Sequence, residues 1–73
     1  MSPHEIEVGK TYHNGKKGPR SYSARKVLML NVKGPWGIVD GVRFLQVKGP
    51  YSGEETVIQL KSFARWAKGL VTD

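Results

Sequence analysis

The segment Lys16-Lys17-Gly18-Pro19-Arg20-Ser21-Tyr22-Ser23-Ala24-Arg25-Lys26 gathers five cations, two serine hydroxyls and a tyrosine around a flexible Gly-Pro turn. Cations and hydroxyls of this kind suit phosphate oxygens or the carboxylates of an acidic protein surface. An aromatic ring among them offers a face on which a base can stack. Lys16, Lys17, Arg20, Tyr22, Arg25 and Lys26 are therefore the expected partner-binding set. Tyr22 has a plainer alternative, which is to cover one end of the fold. A second group, Lys61, Arg65 and Lys68, falls at i, i+4 and i+7 and predicts a cationic stripe on a helix, opposite Phe63 and Trp66. Solvated charges on the outer face of a packed helix give the same spacing.

The charge is segregated along the chain. Twelve Lys and Arg oppose six Asp and Glu, for a net charge of +6. Between Val8 and Val39 there are seven cations and no acid. A one-signed field over part of the surface favours polyanions or acidic protein patches as partners.

Catalytic material is sparse. His4 and His13 have no carboxylate or second histidine at metal-ligand spacing, so no metal is expected. The chain has no cysteine, which excludes a thiolate nucleophile and a disulfide framework. Neither a phosphate-cradling glycine loop nor a nucleophile elbow is present. Glu54 and Glu55 are adjacent and point to opposite faces of an extended chain, the wrong arrangement for an acid/base pair. With 73 residues, the domain is expected to have a thin core and a stability of no more than about 3 to 5 kcal/mol. The expectation is a non-enzymatic protein without a cofactor.

The opening residues Met1–Glu5 lack a basic-then-apolar leader, and no apolar run approaches the roughly 18 residues that span a bilayer. A monomeric, cytoplasmic protein is expected, with one domain over 1–73 and a flexible tail over 1–6.

The elements that must position the cations are short. Apolar runs punctuated by Gly and Pro predict strands over Glu7–Tyr12, Arg25–Val32, Gly41–Val47 and Thr56–Leu60. Arg25–Val32 carries apolar residues on both faces and reads as the central strand. In Gly41–Val47, Val42 and Phe44 share one face, Leu45 and Val47 the other, which calls for a bulge or burial on both sides. One helix is predicted, with Ser62 as N-cap, Phe63, Trp66, Ala67 and Leu70 on its apolar face, and Gly69 ending it. Phe63 and Trp66 are the expected core anchors. The fold class is mainly β (α+β): a small, strongly bent antiparallel sheet or an SH3-like barrel of four to five strands with one short C-terminal helix.

Three turns share a phrase: Lys17-Gly18-Pro19, Lys33-Gly34-Pro35 and Lys48-Gly49-Pro50. In an antiparallel meander successive hairpin loops alternate between the two ends of the sheet. The Lys17 and Lys48 turns therefore share one end, with Lys16, Lys17, Arg20, Lys48 and Tyr51, and the Lys33 turn lies at the other.

Val8-Gly9-Lys10-Thr11-Tyr12, Ala24-Arg25-Lys26-Val27 and the closing Phe63-Ala64-Arg65-Trp66-Ala67, together with size and charge, resemble small phage-encoded transcription regulators that bind host RNA polymerase. The resemblance implies a protein of the bacterial host cytoplasm that blocks initiation by interfering with σ-factor engagement and promotes antitermination. No contact residue carries over by position. Two other readings stay open: an SH3-like module that binds DNA or RNA through the basic loop, and a structural or assembly adapter.

Overall fold

A computed structural model describes residues 1–71. Five strands, β1 (Thr11–His13), β2 (Ala24–Val32), β3 (Gly41–Lys48), β4 (Glu55–Gln59) and β5 (Gly69–Leu70), form one antiparallel sheet in the order β4-β3-β2-β1-β5. The helix α1 (Leu60–Trp66) lies between β4 and β5 in the chain. The fold is mainly β, as the run lengths predicted, and β2 is the central strand.

Register shifts in the β2–β3 ladder bend the sheet. Between Val27 and Met29 the partner on β3 moves only from Phe44 to Arg43, so β2 carries an extra residue. A second irregularity precedes Val32, where Asn31 takes φ +56°, a left-handed conformation that asparagine tolerates. The mixed pattern of β3 resolves into Val42, Phe44 and Gln46 buried, with Leu45 and Val47 half-buried on the opposite face.

The core is built on Phe63, which is fully buried. Tyr12 meets it edge-on at 5.8 Å, and Phe44 and Trp66 tilt against it at 5.5 and 5.4 Å between ring centroids. Val27, Val42, Ile6, Ala64 and Ala67 complete the cluster. Trp66 is only half-buried, so of the two expected anchors Phe63 is the interior one.

The local boundaries differ from the sequence expectation for identifiable reasons. The helix starts before Ser62 because the Leu60 N–H donates to the Asp40 carbonyl at 2.9 Å, a tertiary bond in place of a side-chain cap. It stops at Trp66, with Ala67 already extended, because the following residues pair with β1: Lys68 N–H donates to His13 O and Val71 N–H to Thr11 O. Gly69 therefore ends no helix. It lies in β5 opposite His13, where a Cβ would come within 2.7 Å of the imidazole Nε2.

The first strand begins later than predicted, at Thr11. The segment before it is occupied by a 3-10 turn over Pro3–Glu5 and a bend at Val8 and Gly9. Residues 1–6, expected as a flexible tail, are instead docked on α1. Ile6 is 3% exposed in the core, and the Met1 amine donates to the carbonyls of Ala64 and Ala67 at 3.0 and 3.1 Å. Among the described residues no helix is long and apolar enough to cross a membrane.

Candidate functional site

The alternation of hairpin loops brings the β1–β2 loop and the β3–β4 turn to one end of the sheet. Their junction is tight: a Cβ on Gly49 would lie 2.8 Å from the Tyr22 carbonyl and 2.9 Å from Ser23 Cβ. Gly49 also takes φ +97°, so glycine is required there on both counts. Asn14 shapes the first loop, with Nδ2 donating to Ser21 O and Oδ1 accepting from the N–H groups of Lys16 and Ser23.

Between the two loops lies an open groove of about 450 Å³. Lys16 and Arg20 come to it from the first loop, with Ser21 and Ser23 beside them, and Pro50 and Tyr51 from the second. Arg25 and Gln46, paired across β2 and β3, complete the lining. Among the described residues, three cations and no carboxylate line this space.

Arg25 is held by the core. Its guanidinium carbon sits 4.1 Å from the centre of the Trp66 ring and 4.6 Å from that of Phe44, and its Nε donates to Gln46 Oε1 at 3.2 Å. Gln46 in turn donates from Nε2 to Lys48 O at 2.7 Å, which fixes the acceptor. Such stacking suits the planar guanidinium. Among the described residues the ion pairs are Lys10–Glu7 and Arg43–Glu55, and neither reaches Arg25. Desolvation lowers its pKa from the usual arginine value. A half-buried, rigidly held cation with no counter-ion among the described residues is therefore one wall of the groove.

The predicted binding set divides. Lys16, Arg20 and Arg25 line the groove. Arg25 and Lys26 are consecutive in a strand and project to opposite faces. Arg25 pairs with Tyr12 and Gln46, whereas Lys26 pairs with Thr11 and Leu45 on the other face. Tyr22 also leaves the set. It stacks on His13, centroids 6.1 Å apart and planes at 23°, and lines a second hollow of about 590 Å³ with Lys10, Lys48 and Leu70. Lys17 is exposed on the first loop without lining the groove, and Lys48 faces the second hollow.

The helical stripe is shorter than its spacing predicted. Lys61 and Arg65 are exposed on α1, but Lys68 follows the helix and its Nζ returns to the Arg65 carbonyl at 3.1 Å. There it faces the negative end of the helix.

Sequence reasoning left Ser21, Ser23, Gln46 and Pro50 out of the binding set and gave Tyr51 a place at this end without a role. Gln46 had a signal: it is the polar residue in the alternating buried series Val42, Phe44, Gln46. In comparisons with protein families, characterised proteins and solved structures, nothing matches this chain.

Proposed function

We propose that this chain is a non-enzymatic binding protein that holds an anionic partner in the basic groove, and that it acts, as a monomer in the bacterial cytoplasm, on transcription. The observation that carries the reading is Arg25. A desolvated guanidinium, stacked in place and without a carboxylate partner among the described residues, gains from any anion that enters, and Lys16 and Arg20 extend the same field. The resemblance to phage regulators directs the search for that anion to RNA polymerase and the nucleic acid it holds. Interference with σ-factor engagement and antitermination are the activities such a contact would serve.

Affinity capture from bacterial lysate tests this, with wild type and a Lys16→Glu/Arg20→Glu variant side by side. Polymerase subunits enriched on wild type and lost from the variant are expected. Polymerase recovered by neither protein, or equally by both, contradicts the reading.

A further inference from the structure

Tyr51 is the feature of the basic end that the fold does not use. The residue is 77% exposed and its ring has no aromatic neighbour among the described residues. Its φ of +64° lies in the left-handed region, which is unfavourable for a bulky side chain. The other non-glycine residue with positive φ is Asn31, a type that accepts it. A strained backbone that carries a large aromatic out into water, beside three cations, points to a ligand with a flat face.

We infer that the groove takes single-stranded nucleic acid, with phosphates on Lys16, Arg20 and Arg25 and a base stacked on Tyr51. The inference rests on the anion-binding reading of the same groove and adds the class of ligand. An acidic peptide would satisfy the cations but leaves the ring without a partner. In a duplex the base faces are stacked on each other, and only edges and backbone are offered. Unpaired bases present the face that Tyr51 needs. Gln46 is 8% exposed and spends an acceptor site on Arg25 and a donor on Lys48 O, which leaves little of its amide for a base edge. Recognition is accordingly tolerant of sequence.

Fluorescence anisotropy provides the test, using a labelled single-stranded RNA of about twelve nucleotides, within the span of known single-strand sites. The duplex of the same sequence and polyglutamate are measured beside it, with inorganic polyphosphate as competitor. Tyr51→Asn removes the ring while keeping a residue that accepts positive φ; Tyr51→Phe keeps the ring. The single strand binds wild type and Tyr51→Phe alike, and Tyr51→Asn weakens it roughly 5- to 150-fold, the range for losing one stacked base. Polyphosphate competes on all three proteins. Undiminished single-strand binding by Tyr51→Asn overturns the inference, as does a wild-type preference for the duplex or for polyglutamate; in each case polyphosphate binding leaves the anion groove standing. If neither the single strand nor polyphosphate binds at low salt, the groove reading falls together with the inference.

Discussion

Arg25 and Tyr51 each carry an unfavourable term. For Arg25 the term is desolvation. Its pKa is lower in the folded chain than in the unfolded one, so the cost is present wherever the guanidinium is charged and is relieved only as pH rises through the folded pKa, far above neutrality. Neutral pH therefore offers no window on it, and substitution does. Arg25→Met keeps an apolar stem over Trp66 but removes the charge and the donor to the buried Gln46 Oε1; urea denaturation should show a loss of about 1–3 kcal/mol. The same variant should bind polyanions about tenfold or more weakly, because one charge-assisted contact of about 1.5–3 kcal/mol is gone. A purely structural arginine would give the same stability loss with polyanion affinity unchanged. For Tyr51 the left-handed backbone costs about 1–2 kcal/mol, so Tyr51→Asn should raise the thermal midpoint while it weakens binding. Tyr12 is a contrasting case, polar and wholly structural. Its hydroxyl donates to Glu5 O at 2.9 Å and accepts from Glu7 N–H at 2.8 Å. Tyr12→Phe orphans both groups and should cost about 1–3 kcal/mol by urea denaturation, with little change in ligand affinity. At this scale the sequence showed cations but not their surroundings. Nothing local distinguishes Arg25, stacked on the core, from Lys26 on the other face, until the register of β2 is known.

At the scale of elements, the groove depends on two loops meeting over Gly49. Gly49→Ala forces a Cβ against the Tyr22 carbonyl and Ser23 at a positive φ. It should destabilise the domain by about 1–3 kcal/mol and separate the loops. The measurement is affinity at a denaturant-free temperature where the variant is still folded; a loss there beyond the unfolded fraction identifies the junction as part of the site. The pairing of these loops was legible because it follows from antiparallel connectivity, and the repeated Lys-Gly-Pro turns marked where strands end. The central strand was legible from its apolar residues on both faces. The helix was legible from Phe63 and Trp66, but its limits were not, since Asp40 satisfies its first N–H and β1 captures the chain after Trp66. Both are contacts with residues distant in sequence, and they outweigh the local cap signals at Ser62 and Gly69. The late start of β1 has the same origin: the turn at Pro3–Glu5 docks on α1, and Tyr12 is held by Glu5 and Glu7.

For the whole molecule, composition announced a basic protein, while topology decides where the charge acts. Lys33 stands at the opposite end of the sheet from Lys16 and Arg20, and Lys61 and Arg65 lie on the outer face of α1. A diffuse +6 would attract an anion from every side, whereas the groove gathers three of the cations on one surface. The small core, centred on Phe63, holds that arrangement together. Phe63→Ala removes a fully buried ring at a cost of about 3–5 kcal/mol, close to the whole stability of a domain this size, and circular dichroism should find the variant largely unfolded. The most direct test of the localised groove is the salt dependence of single-stranded RNA affinity for wild type, Lys33→Glu and the Lys16→Glu/Arg20→Glu variant. Three engaged cations give wild type a slope of log K against log salt of about −2, from roughly −0.7 per phosphate. Lys33→Glu should keep that slope, and the double variant should fall to about −0.7 or lose binding. An unchanged slope in the double variant, or an equal loss in Lys33→Glu, would contradict the account.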